Sequence, residues 1–438
     1  MRRVNIGLVG AGTVGGGVYQ AIQRNASLMA CRLGVSLRIH RVAVRDIRRA
    51  RDVRIPRSLL TTDWKQLTQD PRIDIVVELM GGTSTAREVV ASALRAGKPV
   101  VTANKALLSA HGESLFSIAQ QRGGNLYYEA SVAGGIPIIK VLREAMVGNR
   151  ITRLYGIVNG TCNYILTRMK REGADFMDVL RDAQKLGYAE AEPSLDVDGH
   201  DAAHKTGILA SLAHGFWVNP ALIHTEGIRH ITQRDIEFAG QLGYTIKLLG
   251  IVKARPGVAR AANRVQVSVY PALIPNSHVL ASVNDVFNAV FLRGDIVGDT
   301  LYYGRGAGQD ATASSVLSDL GDAALDLLHD SRRRVPAFVA HREGGLMVPI
   351  DEAVSRYYVR LDVIDRPGVL ARIAAILGRA KIGISSVIQP EVHGGGGVPL
   401  ILMIHDATNA AMRRALTKIS RLSVVRSRPS LIRVESFD

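Results

Sequence analysis

Residues 4–22 read VNIGLVGAGTVGGGVYQAI. The apolar run Asn5–Val9 predicts a strand. Gly10-Ala11-Gly12-Thr13-Val14-Gly15 is a turn of the form G-x-G-x-x-G, and an apolar-periodic helix begins at once. Each glycine has a physical reason. Gly10 permits the tight turn, Gly12 lets the backbone approach a pyrophosphate, and Gly15 lets helix pack closely on strand. Thr13 and Val14 offer main-chain amides, and the helix N-terminus presents free N–H groups to an anion. Strand, glycine turn and helix in this order predict a dinucleotide-binding unit. A glycine turn without a ligand is the alternative.

Outward from this stretch, strands and helices alternate through residues 1–135. Strands are predicted at Asn5–Val9, Leu37–Val44, Ile73–Leu79, Pro99–Thr102 and Leu126–Glu129, with helices at Thr85–Ala96 and Gly112–Arg122. That alternation gives an α/β fold with a Rossmann-type, doubly wound parallel sheet. The second strand ends Val42-Ala43-Val44-Arg45-Asp46, with Arg48 and Arg49 following. An NAD site usually places an acid there for the ribose hydroxyls, whereas a guanidinium pairs with a 2′-phosphate. Arg45 therefore points to NADP over NAD, Asp46 keeps NAD open, and an exposed basic loop is the plain alternative. Thr102-Ala103-Asn104-Lys105 sits at the carboxyl edge of the sheet, where ligands bind in such folds. Lys105 there either meets cofactor and substrate or is a surface lysine.

The middle of the chain changes character. Helices are predicted near 137–147, 161–172, 175–187 and 199–217, then strands at Ile246–Lys253, Val265–Tyr270, Ala289–Leu292 and Ile296–Tyr302. This reads as a mixed α/β domain over 136–306. The helix near 307–330 completes the nucleotide domain, and the basic, glycine-bearing stretch 331–355 reads as a linker. Residues 356–438 then run β-α-β-β-α-β, the split-βαβ, ferredoxin-like order, with a glycine loop at Gly394–Gly397.

Within the middle domain, Gly187 to Lys205 reads GYAEAEPSLDVDGHDAAHK. It gathers Glu190, Asp196, Asp198, Asp201 and Lys205 before the apolar run ILASLAHGF. Asp201 and Lys205 are four apart in a helical stretch and share a face. An exposed ion pair is the plain reading. A lysine at the start of a buried helix needs a partner or a purpose, and it can give or take a proton. Glu190 can bind a substrate ammonium, and Asp198 can instead cap a helix. Asn159-Gly160-Thr161 matches a glycosylation sequon but reads as a turn entering a helix.

Composition narrows the classes. The chain has 438 residues, 47% hydrophobic and 21% charged, without an apolar run long enough for a membrane helix. Two cysteines, Cys31 and Cys162, form no disulfide framework or zinc spacing, so a cytoplasmic, reducing setting is expected. The net charge of +16 is scattered apart from Arg41–Arg57 and Arg332–Arg334, and aromatics are only 5%. A basic surface that helps capture anionic ligands is favoured over nucleic-acid binding.

Taken together, these motifs resemble the homoserine dehydrogenase family, in the monofunctional form with a C-terminal ACT domain. The resemblance rests on the glycine turn, ELMGG at 78–82, TANKALL at 102–108, the 187–205 block and GRGAGQDATASSV at 304–316. It implies NAD(P)-dependent interconversion of L-homoserine and L-aspartate 4-semialdehyde, a step toward threonine, isoleucine and methionine. It implies Lys205 as proton donor and acceptor, Asp201 as its support, and Lys105 between cofactor and substrate. Glu190 holds the substrate amino group, with Asp196 near the substrate. Gly306 and Gly308 belong to the segment on the nicotinamide side. YYEASVAGGIP at 127–137 resembles the family's cation site, with the Glu129 side chain and the carbonyls of Val132, Gly134 and Ile136 around sodium. The 136–306 domain would also dimerise, giving a homodimer or homotetramer. DRPGVL resembles an ACT ligand loop, with Gly368 leaving room for an amino-acid effector, threonine by pathway logic. A dimerisation module without ligand is the alternative. Glu192 departs from the family, many members of which carry aspartate there.

Overall fold

The computed structural model describes residues 1–255, 264–331, 334–341, 345–390 and 397–437. Arg332, Arg333 and Gly394–Gly396 lie outside the described residues. The chain folds into two compact units: Met1–Leu154, His204–Ala221 and Asn288–Gly345 in the first, Tyr155–Ala203, Leu222–Phe287 and Leu346–Asp438 in the second. Among the described residues no helix is long and apolar enough to cross a membrane.

The first unit is built on six parallel strands: β1 (Arg2–Val9), β2 (Val35–Ala43), β3 (Leu60–Thr61), β4 (Ile75–Glu78), β5 (Val100–Thr102) and β6 (Leu126–Tyr127). Their order is β3-β2-β1-β4-β5-β6, so the sequence direction reverses between β1 and β4. In doubly wound sheets that reversal opens the ligand crevice at the carboxyl ends of the strands. Ile6 and Leu8 of β1 are fully buried. The helix Gln309–Leu328, distant in sequence, brings Ala313, Val316 and Leu320 into the same core. It packs against helix α1 (Thr13–Arg24) closely enough that a Cβ on Gly17 would meet Gln309 Cγ at 2.5 Å. Helix α2 runs Lys105–Arg122, two turns longer at its start than the apolar pattern from Gly112 suggests. The reason is a cap: the Asn104 side chain accepts a hydrogen bond from Leu107 N (3.0 Å) and satisfies one of the first-turn donors.

The second unit contains β7 (Tyr244–Arg255), β8 (Arg264–Pro275), β9 (Val354–Val363), β10 (Ile384–Ile388), β11 (Val398–Thr408) and β12 (Ser430–Val434). They lie in the order β7-β8-β12-β9-β11-β10. The last four strands, with helices α3 (Val369–Arg379) and α4 (Asn409–Ile419), follow the β-α-β-β-α-β order, antiparallel throughout. Their core of Tyr357, Leu361, Ile373, Leu402 and Met412 is their own. Their sheet is not separate, however. β12 runs parallel to β8, pairing Ala272 with Arg433 and Leu273 with Val434, and Glu435 N donates to Leu273 O at 3.0 Å. Strand pairing of this kind is made by main-chain groups and leaves little mark on side-chain pattern.

A buried ion pair adds a second tie. On β9, the Arg360 guanidinium donates to both oxygens of Asp235 (2.7 and 3.0 Å). Asp235 also closes a capping box with Thr232 on the helix Gln233–Gln241. Burial works to raise the Asp235 pKa. The guanidinium and the Thr232 hydroxyl outweigh it and hold the group below its ordinary 3.8. Such a carboxylate contributes stability that is present above its unfolded pKa and is lost as pH falls through its lowered native value. Arg360→Met leaves it buried and unpaired. We expect a loss of about 3–5 kcal/mol in urea unfolding at neutral pH, with the gap to wild type closing in acid as Asp235 takes up its proton. A gap that is constant with pH would show that the pair does not hold this contact.

Candidate active site

Between β1 and α1 the glycine turn adopts the conformation its spacing calls for. Gly10 has φ +98°, and a Cβ there would stand 2.5 Å from Leu79 O; a Cβ on Gly15 would stand 2.1 Å from Gly10 O. Both glycines are needed by the protein itself. Gly12 differs: its φ is −79° and nothing lies within 4 Å of an added Cβ. Its open face borders a cleft of about 840 Å³ lined by Gly10, Thr13, Arg45, Arg49 and Arg51. A cradle bare of side chains at the N-terminus of α1 fits a dinucleotide pyrophosphate. Val14 is half-buried against the core and is not among the residues lining the cleft.

At the end of β2 the acid and the bases separate. Asp46 Oδ1 accepts from Arg48 N (2.7 Å), and the Arg51 guanidinium donates to the carbonyls of Asp46 and Arg49. The Asp46 carboxylate thus stabilises its own turn, while Arg45 and Arg49 stay exposed on the cleft. Buried Glu78 ends β4. It accepts from Thr102 Oγ1 (2.6 Å) on β5 and from Met80 N (2.9 Å). Burial pushes its carboxyl pKa up, against those hydrogen bonds. This braces the strand ends from which Asn104 caps α2, with Lys105 as the first, half-buried helical residue. Gln309, just past Gly308, also lines the cleft. Gly308 has φ +113° with open space at its Cβ, whereas a Cβ on Gly306 would collide with the Asn288 side chain. Of the two, only Gly308 offers an open face to a ligand.

The 129–136 loop abuts that segment. Gly135 N donates to Arg305 O (3.0 Å), and a Cβ on Gly134 would meet Gly306 O at 2.5 Å. Both carboxylate oxygens of Glu129 accept main-chain N–H groups, from Ile139 and Lys140 at 2.8 Å each. The Gly134 and Ile136 carbonyls accept from Ser315 Oγ (2.6 Å) and Ile138 N (2.8 Å), so each keeps one lone pair. Burial raises the Glu129 pKa to about 7 despite the two amides. Among the described residues no cluster of three or more His, Cys, Asp or Glu is placed for a metal. A carboxylate with main-chain carbonyls is a hard-oxygen set, which suits a hard cation that restores the lost solvation.

In the second unit one side chain organises the acidic block. Asn159 Nδ2 donates one hydrogen to Asp196 Oδ1 (2.7 Å) and the other to Asp201 Oδ2 (2.9 Å). Its Oδ1 accepts from Cys162 N (2.8 Å) and caps the helix Gly160–Glu172. Asn159 and Asp201 are buried, at 5% and 4% exposure. Asp201 opens the helix His200–His214, and Lys205 follows one turn later, half-buried. Asp196 sits on the short helix Ser194–Val197. Glu190 is exposed, and its main-chain carbonyl takes the Gln184 amide (3.0 Å). Asp198 ends the short helix and pairs with Arg229 (2.5 Å). Glu192 accepts from Ser194 N (3.1 Å) and from the Ser194 hydroxyl. The Ser194 hydroxyl bond, then its amide, lower the Glu192 pKa. The unusual glutamate thus braces the start of that helix. Gly368 (φ +86°) caps α3 with open space at its Cβ.

A family model described as homoserine dehydrogenase, NAD binding domain, matches residues 10–129, and one described as homoserine dehydrogenase matches 137–320. A homoserine dehydrogenase of Pseudomonas aeruginosa is 42% identical over the full length of both chains. The chain belongs to the homoserine dehydrogenase family. It is an NAD(P)-dependent oxidoreductase by that membership. The homoserine dehydrogenase of Neisseria gonorrhoeae is 41% identical, again over the whole of both chains. A crystal structure of a homoserine dehydrogenase from Thiobacillus denitrificans has a TM-score of 0.92 at 43% identity, covering 100% of this chain and 99% of that one. A hyperthermophilic archaeal homoserine dehydrogenase solved in complex with NADPH has a TM-score of 0.61 at 27% identity, covering 74% of this chain and 98% of that one.

Asn159 is the residue that motif reading passes over. Asn-Gly-Thr before a helix is sufficiently explained as a cap, and nothing local shows that the same amide holds two carboxylates from 37 and 42 residues away. The glycines give a direct check of the cleft. Gly12→Ala should melt with wild type yet weaken dinucleotide binding on the order of tenfold, about 1.4 kcal/mol. Gly10→Ala should lose roughly 1–3 kcal/mol of stability from forced backbone strain. Equal NADPH affinity in Gly12→Ala and wild type by titration calorimetry would remove the cleft as the pyrophosphate site.

Proposed function

We propose that this chain interconverts L-homoserine and L-aspartate 4-semialdehyde, with NADP preferred over NAD. The observation that carries the reading is the Asn159 amide holding Asp196 and Asp201 together, one helical turn before Lys205. Two adjacent carboxylates and an amine suit a small substrate bearing an ammonium and a hydroxyl. Glu190 and Asp196 bind the ammonium. Asp201 orients Lys205, which takes the hydroxyl proton in oxidation and returns it to the forming alkoxide in reduction. Lys105 holds the substrate against the cofactor side. When bound, the nicotinamide accepts the hydride in one direction and supplies it in the other.

NADP preference is supported by Arg45 and Arg49 on the cleft and by the engagement of Asp46 in its own turn. Glu129 with the carbonyls of Val132, Gly134 and Ile136 would hold sodium, fixing the loop beside Gly306 and Gly308. The C-terminal β-α-β-β-α-β module acts as an ACT domain, taking an amino-acid effector, threonine by pathway logic, at Gly368. The assembly is a homodimer or homotetramer working in the cytoplasm, in the route to threonine, isoleucine and methionine. Cys31 and Cys162 stand as thiols rather than as a disulfide, which fits that compartment.

The test is NADPH absorbance with L-homoserine and each oxidised cofactor. Lys205→Ala should lower kcat by roughly 10² or more; a loss under tenfold would dismiss the proton role. Arg45→Ala should cut the advantage of NADP over NAD by about tenfold, the value of a lost charge-assisted hydrogen bond. An unchanged ratio of kcat/KM values would move the 2′-phosphate contact elsewhere.

A further inference from the structure

The acidic block does not hold its own position. Its neighbour is the loop 224–229. Ile228 N donates to Val197 O (2.8 Å), and Glu226 N donates to Val269 O (2.8 Å) on β8. The two backbones approach so closely that a Cβ on Gly227 would stand 2.1 Å from Val197 O and 2.4 Å from Asp198 Cα. A Cβ on Gly199 would stand 3.2 Å from Glu226 O. Arg229 then clasps Asp198 and Ser194 Oγ (2.9 Å). Through these contacts the loop sets where the short helix with Asp196 ends and where the helix with Asp201 begins.

What fixes the loop is a residue from the other end of the chain. Arg433, on β12, is 2% exposed. Its Nη1 and Nη2 donate to the two carboxylate oxygens of Glu226 at 3.0 Å each. Nη2 also donates to Asn409 Oδ1 (2.8 Å) at the start of α4. The guanidinium lies 4.4 Å from the centroid of the Tyr270 ring on β8. His224 Nε2 stands 2.7 Å from Glu226 Oε1. A fork-to-fork guanidinium–carboxylate pair fixes direction as well as distance. Its partners at Asn409 and Tyr270 leave it little room to turn. A side chain of the C-terminal module therefore helps to set the loop, beside its main-chain bonds to Val269 and Val197.

We propose that Arg433 and Glu226 are positioning residues for the reaction: their ion pair holds the loop 224–229 and, through it, Asp196, which binds substrate, and Asp201, which orients Lys205. Neither touches substrate, and the proposal rests on the function given above. It predicts a selective defect. Misplacing binding groups by about an ångström can cost up to roughly 10² in rate, while the dinucleotide cleft is lined by none of these residues.

The test uses the full-length enzyme and three variants, Glu226→Gln, Arg433→Lys and Arg433→Met. Glu226→Gln keeps the shape and leaves the guanidinium its Asn409 partner, so it serves if Arg433→Met fails to fold. The expected result is a substrate KM raised, and kcat/KM lowered, by on the order of tenfold or more, with the KM for NADPH unchanged. Arg433→Lys should recover only part, because an ammonium cannot span both oxygens. Hydrogen exchange supplies a readout independent of turnover: amides of 194–201 and 224–229 should exchange faster in Glu226→Gln, with α2 unaffected. Unchanged substrate kinetics in a folded Glu226→Gln overturns the proposal, as does a parallel rise in both KM values. If wild type turns over no homoserine, the proposed function falls; unchanged exchange at 194–201 in Glu226→Gln then overturns the positioning role separately.

Discussion

Two carboxylates brought close together repel each other, and a hydrogen-bond donor between them eases that repulsion. Asn159 supplies that donor with a single NH2 group, one hydrogen to Asp196 and one to Asp201. A lysine or arginine there would add a charge that competes with the ammonium proposed above. The neutral amide satisfies lone pairs without adding a charge. Its other end caps a helix, which pins the donor. Much of the second unit's design follows from keeping these three side chains in register.

That register is maintained by main chain as well as by side chain. Gly199 and Gly227 let two loops run within contact of each other, and Ile228 N closes the gap with a hydrogen bond to Val197 O. Polar groups then hold the outer layer: Arg229 on Asp198, Glu192 on Ser194. The first unit uses the same economy around the nucleotide cleft. Buried Glu78 ties two strand ends together, and Asn104 both caps α2 and donates to Gly82 O (2.7 Å). In each unit the side chains of the candidate site are held by a second set of polar residues, the usual condition for a preorganised site.

The features legible in the sequence are those whose physics is local. Val4–Ile22 read as strand, glycine turn and helix because each glycine there answers a requirement within a few residues. Asp201 and Lys205 read as one helical face because four residues make about a turn. Asp198 read as a possible cap and is a helix-ending residue with an arginine partner, since Arg229 lies 31 positions away. β12 was legible as a strand but not as a neighbour of β8, because its pairing uses main-chain groups that every residue carries. Arg433 gave no signal at all. A lone arginine in SLIRV looks like the solvent-facing residue of an edge strand, and only the fold shows Glu226, Asn409 and Tyr270 closed around it.

The continuity of β8 and β12 also bears on how a regulatory ligand could act. A module joined by a flexible linker would have to move as a body to influence a distant site. Here the four-stranded sheet carrying α3 and α4 delivers Arg433 to Glu226 directly. An effector at Gly368 would change substrate affinity only to the extent that it prefers one placement of that guanidinium over another. By linkage, substrate bound at Asp196 and Asp201 would change effector affinity by the same factor. Removing the module to abolish regulation would also remove β12 from the sheet and the partner from Glu226, so truncation confounds regulation with positioning. Separating the two takes substitutions at the effector loop that leave Arg433 in place.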